Sequence, residues 1–114
     1  MSDDCLFCRI VRREIPADIV WESDDVLAFR DIAPKAPTHV LVIPQQCIRS
    51  LGDASDTDGA VLGAVMLAAR DVARQEGVGD GFRVVLNTGA DGGQTVFHLH
   101  AHVLGGRALT WPPG

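Results

Sequence analysis

With 114 residues, 46 % of them hydrophobic, the chain has material for one domain with a real core, which excludes both a disordered polypeptide and two substantial cores. Its formal charge is −5, and nine arginines and the lone Lys35 are scattered without a basic stripe, which argues against a nucleic-acid polymer as partner. No apolar run approaches the roughly 20 residues that span a bilayer, and Met1-Ser2-Asp3-Asp4 is acidic where a signal peptide is basic. The expectation is a soluble, cytoplasmic, single-domain protein over residues 1–114, with no membrane partner.

In chain order, residues 8–14 suit a short helix stopped before Pro16. Ile19-Val20-Trp21-Glu22 and Val26-Leu27-Ala28-Phe29 read as two strands joined by the Ser23-Asp24-Asp25 turn. Ala33-Pro34-Lys35-Ala36-Pro37 is a proline-held loop leading into His39-Val40-Leu41-Val42-Ile43, a nearly continuous apolar strand halted at Pro44. Residues 57–75 form the one long helix: Leu62, Val65, Met66, Ala69, Val72 and Ala73 recur at three- and four-residue spacing. Asp56 or Thr57 caps its start, and Gly77 stands where a left-handed C-terminal cap belongs. Residues 82–87 read as a strand, Gly89-Ala90-Asp91-Gly92-Gly93 as a connection, and residues 96–104 as the last strand. Successive strands with a single long helix predict an α+β fold, an antiparallel five-stranded sheet with one long helix and a short N-terminal helix. One helix covers such a sheet poorly, so an open face or edge is a natural surface for a second copy.

Three of the four histidines are packed at positions 98, 100 and 102. On a strand, alternate residues share a face, so His98, His100 and His102 project together while Leu99, Ala101 and Val103 pack inward. Such a row either chelates a metal or supplies a nucleophile with neighbours that stabilise an anion. Gly92 and Gly93 allow close backbone approach and can form an anion nest, and Thr95 adds a hydroxyl. These parts favour phosphate chemistry. Asp31 by itself fits a turn cap before Pro34. Phe29 and Ile32 read as core, His39 as a hydrogen-bonded core histidine, and Asn87 as a turn residue. Cys5-Leu6-Phe7-Cys8 has the spacing of a metal knuckle, and an odd count of three cysteines cannot close a complete disulfide framework.

The run His98-Leu99-His100-Ala101-His102-Val103-Leu104 resembles the signature of the histidine triad superfamily, three histidines alternating with apolar residues. Phe29-Arg30-Asp31-Ile32-Ala33-Pro34-Lys35-Ala36-Pro37-Thr38-His39, Asp91-Gly92-Gly93-Gln94-Thr95-Val96-Phe97, Gly105-Gly106-Arg107 and Trp111-Pro112-Pro113-Gly114 extend the likeness toward the Hint branch, the histidine triad nucleotide-binding proteins. The resemblance implies a homodimer that hydrolyses purine nucleoside phosphoramidates, mainly of adenosine monophosphate. In it His100 would attack phosphorus to give a nucleotidyl-imidazole, and His102 would hold the phosphate. Thr95 would contact the phosphate or the departing amine, and Asn87 and the Gly93 backbone would help hold the phosphate. His39 would join the polar network behind the triad, Asp31 would bind the ribose, and Phe29 and Ile32 would line the base pocket. The same resemblance implies zinc on Cys5, Cys8, His98 and, where relatives carry a histidine, Cys47; such a Cys₃His set is a normal closed site. The C-terminal Trp111–Gly114 segment would influence specificity at the partner's site. A dinucleoside polyphosphate hydrolase, and a nucleotide-binding scaffold with incidental catalysis, are the competing functions.

Overall fold

The structure, a computed structural model, describes residues 5–114, so the reading of Met1–Asp4 lies outside the described residues. Its elements are α1 (Leu6–Val11), β1 (Ile19–Glu22), β2 (Val26–Arg30), β3 (Thr38–Pro44), α2 (Gly59–Gln75), β4 (Phe82–Leu86) and β5 (Ala101–Gly105). The strands form one antiparallel sheet in the order β1-β2-β3-β5-β4. β3 is central and buried along its whole length, as its continuous apolar run requires.

Strand alternation divides the core in two. Val26, Ala28, Val40, Val42, Ala101 and Val103 face α2 and pack on Val65, Ala68, Ala69, Val72 and Ala73. Leu27, Phe29, Leu41 and Ile43 face the other way and pack on Phe7 and Ile10 of α1. The α2 stripe differs from the spacing-based one at three positions: Leu62 is only half-buried, Met66 is 39 % exposed, and Ala68 joins the core. α2 is preceded by a 3-10 turn at Asp56–Asp58, whose start is set by Ser55 and not by the expected Asp56 or Thr57: the Asp58 carboxylate accepts the Ser55 N–H at 2.9 Å. Gly77 (φ 80°) closes the helix as expected, with Val78 N–H donating back to Ala73 O and Gly77 N–H to Arg74 O.

α1 begins two residues earlier than its composition suggests, because the Cys5 sulfur accepts the Cys8 N–H and caps it. It ends at Val11 in the same backbone motif as α2: Glu14 N–H donates to Arg9 O and Arg13 N–H to Ile10 O. Arg13 takes the left-handed position (φ 61°) that glycine usually fills.

The largest departure is at the last strand, which spans 101–105 and not 96–104. β5 pairs with β3 only as far as Val42↔Ala101. Two register steps further the partner would be Pro44, which has no N–H to give, and β4 has ended at Leu86. His98 and His100 therefore precede the strand, and the single-face imidazole row is replaced by three differently held rings.

Candidate active site and metal centre

A cavity of about 640 Å³ opens on the α1 face of the sheet. Apolar groups from Leu6, Phe7, Ile10, Ile15, Phe29 and Leu41 form most of its wall, and Asp31, Thr95, His100 and His102 supply polar groups. Ile32, fully exposed, stands at its edge. The participation of α1 went unread in the sequence, although Phe7 and Ile10 have the three-residue spacing of a helix face.

Hydrogen bonds assign a tautomer to each ring. A carbonyl oxygen can only accept, so His100 Nδ1, 2.8 Å from His98 O, carries the hydrogen and donates it. Its Nε2 keeps a lone pair, the form a nucleophile needs. His100 is buried, with the Phe7 ring edge-on at a centroid distance of 5.1 Å. The Lys35 N–H donates to His39 Nδ1 at 3.0 Å, which leaves the hydrogen of neutral His39 on Nε2. That Nε2–H lies 2.9 Å from His102 Nδ1, which accepts it, and 3.4 Å from an Asp31 carboxylate oxygen. His102 must then carry its own hydrogen on Nε2. The chain Lys35 N–H to His39 to His102 makes His102 a donor and His100 an acceptor, side by side with ring centroids 4.9 Å apart. Asp31, His39 and His102 lie close enough together for a metal. The Lys35 N–H nevertheless occupies the one nitrogen of His39 that would have to take up the hydrogen, so the cluster is a hydrogen-bond relay.

Burial keeps His39 and His102 neutral. It pushes the His102 pKa down from 6.5 to about 4, with the neighbouring His100 and His39 adding to the effect, and it lowers His39 as well. A histidine depressed in this way takes its proton only in the unfolded chain between those pH values. Its contribution to stability is therefore present above about pH 6.5 and lost as pH falls toward 4. The urea midpoint is expected to fall across this window, and His102→Gln, which cannot titrate, to fall less steeply. Equal slopes would remove His102 as a cause.

The glycine connection does not form the anticipated anion nest. Gly92 N–H donates to Gly89 O, Gly93 N–H to Ala90 O and Gln94 N–H to Gly89 O, so the loop closes on itself. The small residue at 92 serves packing, since a Cβ there would meet Thr88 O at 2.4 Å. Asn87 approaches Gly93 O only at a long 3.5 Å, and neither residue is part of the cavity wall.

The remaining histidine belongs elsewhere. His98 is fully buried and donates its Nε2–H to Pro44 O at 2.8 Å, which leaves the Nδ1 lone pair facing Cys5 Sγ and Cys8 Sγ at 3.4 Å each. Cys47 Sγ lies 4.0 Å from Cys5 Sγ, and the four donor atoms all fall within 4.8 Å of one another. A tetrahedron with Zn–S of about 2.3 Å and Zn–N of about 2.0 Å has edges of roughly 3.6 Å (S to N) and 3.8 Å (S to S), close to these separations. All three cysteines are free of disulfides. Burial raises the thiol pKa of Cys8 and Cys47, because thiolates crowded there need a cation to ionise. The donor set and its spacing fit structural zinc, with Cys47 as the fourth ligand.

Comparison with known proteins agrees with this architecture. The HIT domain model matches residues 12–109. An uncharacterised HIT-like protein of Synechococcus elongatus is 58 % identical over 114 residues, the full length of both chains. A 14 kDa zinc-binding protein of Zea mays is 48 % identical over 111 residues, 96 % of this chain and 87 % of that one. Among solved structures, a HIT family hydrolase from Legionella pneumophila Philadelphia 1 superposes with a TM-score of 0.95 at 48 % identity, covering 97 % of this chain and all of the other. Matched by the family model over residues 12–109 and 58 % identical over its whole length to a HIT-like relative, the chain belongs to the HIT family.

Proposed function

We propose that the protein is a nucleotide-binding hydrolase of the Hint type, which cleaves purine nucleoside 5′-phosphoramidates to the nucleoside monophosphate and an amine. The observation that carries this reading is the bond from His100 Nδ1 to His98 O, which leaves an unprotonated Nε2 at the cavity. In the first step that lone pair attacks phosphorus and the P–N bond to the amine breaks. His102 Nε2–H and the Thr95 hydroxyl stabilise the phosphoryl oxygens and the departing nitrogen, which takes its proton from the site or from water. In the second step water attacks the nucleotidyl-imidazole, the bond from phosphorus to His100 breaks, and the monophosphate is released. Asp31 accepts the ribose hydroxyls, and Phe29 and Ile32 flank the base; Asn87 and Gly93, set back from the cavity wall with the Gly93 N–H bonded to Ala90 O, are given no contact with the phosphate.

Zinc on Cys5, Cys8, Cys47 and His98 supplies a cross-link between α1 and the entry to β5. A homodimer is supported by β4, an edge strand only half-buried along its length. Met66 and Leu67 of α2, 39 % and 54 % exposed, are further large apolar side chains left open to solvent. The C-terminal segment is held by Arg83 donating to Thr110 O at 2.8 Å, with Trp111 81 % exposed and free to meet a second subunit's cavity. Among the described residues no helix is long and apolar enough to cross a membrane, and we place the enzyme in the cytoplasm.

Phosphorus NMR on the protein mixed with an adenosine 5′-phosphoramidate and a diadenosine polyphosphate tests the reading. Faster P–N cleavage is expected. Turnover of the polyphosphate alone would replace it with a dinucleoside polyphosphate hydrolase, and binding without turnover would replace it with a scaffold.

A further inference from the structure

Gln94 is 4 % exposed and has no part in the chemistry above, yet every polar atom of its side-chain amide is used. Its Nε2 donates to Arg49 O at 2.9 Å and to Val96 O at 3.1 Å, and its Oε1 accepts the Gly89 N–H at 2.9 Å. Its own N–H donates to Gly89 O at 3.0 Å. Three segments thereby meet at one side chain: the glycine loop, the loop after β3, and the stretch that runs from Thr95 to His100. The residues on either side of it in the chain are Gly93 and Thr95. The loop it grips at Arg49 also contains Ile48, whose carbonyl accepts the Leu99 N–H at 2.6 Å, next to His100. A buried amide with two donors and its acceptor all satisfied holds a single arrangement, since any other leaves a polar group unpaired away from water.

We infer that Gln94 is a positioning residue for phosphoryl transfer, fixing Thr95 on the cavity wall it shares with His100 by clamping the glycine loop to the backbone of the Arg49 loop. The inference rests on the phosphoramidase reading. Gln94 touches neither nucleotide nor amine and acts only through where it puts Thr95. Gln94→Glu keeps the shape of the side chain but sets one carboxylate oxygen against the Arg49 and Val96 carbonyls, so the clamp opens at that edge.

The test is a double-mutant cycle on wild type, Gln94→Glu, Thr95→Ala and the double variant, measuring kcat and KM on an adenosine phosphoramidate together with melting temperature. Gln94→Glu is expected to lower kcat by about 10- to 100-fold, the scale of an ångström-sized misplacement, with KM nearly unchanged. In the Thr95→Ala background it should add little, because the group it positions is gone. Losses that multiply, or a lowered melting temperature with kcat intact, would overturn the inference. Should Gln94→Glu fail to fold, Gln94→Asn, which keeps the amide but shortens its reach, carries the same comparison. A wild-type protein without phosphoramidate turnover would overturn this inference together with the reading beneath it, whereas active wild type with multiplicative losses would overturn the Gln94 role alone.

Discussion

His100→Ala is expected to lower phosphoramidate turnover by about 10⁴-fold or more and to abolish the covalent nucleotidyl adduct, while nucleotide binding stays measurable. The reason lies in the tautomers. Of the rings at the cavity, only His100 has a free lone pair, because its Nδ1–H is committed to His98 O. His102 cannot substitute, since its Nδ1 accepts the His39 Nε2–H and its other nitrogen is protonated. Water would have to attack the phosphoramidate directly. Intact-mass measurement after a brief exposure to substrate reads the adduct, and an adduct that persists on the variant would move the nucleophile to another residue.

Removing zinc should have the second large effect. Structural zinc sites contribute on the order of 10 kcal/mol, comparable to the whole net stability of a domain of this size, about 5–15 kcal/mol. Here the four ligands join residues 5 and 8 to residues 47 and 98, so the metal ties the N-terminal helix to the sheet. Phe7, between two of those ligands, packs edge-on against Phe29 at 5.3 Å and against His100 at 5.1 Å. Chelation is expected to lower the melting temperature by at least about 10 °C, which corresponds to a few kcal/mol in a domain of this length. Cys47→Ala should behave like the chelated protein, and Cys47→His, which keeps a donor, should retain metal. Native mass spectrometry showing no zinc in a protein of full stability would overturn this.

Most of the sheet was legible because its strands carry strong local signals. β1 lies where Ile19–Glu22 predicts, and β3 is the central strand its unbroken apolar run announces. The long helix was legible from its spacing, though Met66 and Ala68 exchange places, since spacing locates a stripe but not its centre line. The last strand was misread because alternation persists through residues 96–100 while the ladder does not. Its limit is set by Pro44 on a neighbouring strand, which local pattern cannot see. The separation of His98 from the other two histidines, toward the cysteines, was legible only through the family likeness and the cysteine count. Their hydrogen states were not, because they depend on backbone groups of Lys35, Pro44 and His98 brought in by the fold. Gln94 was passed over for the same reason: an amide between glycine and threonine reads as an ordinary loop residue until its three partners are in place.

Leu99 does no chemistry, yet it sits between the zinc-site His98 and the cavity-facing His100, and its N–H is bonded outside the sheet to Ile48 O, one residue past Cys47. Opening that bond requires the Cys47 loop to move away from the histidine segment. Hydrogen exchange at this one amide therefore measures how often the two parts separate. It should be slow in the metal-loaded protein and accelerate when zinc is withdrawn, before the ladder amides of β3 are affected. A single exchange rate, on a leucine, would then follow the integrity of both centres at once.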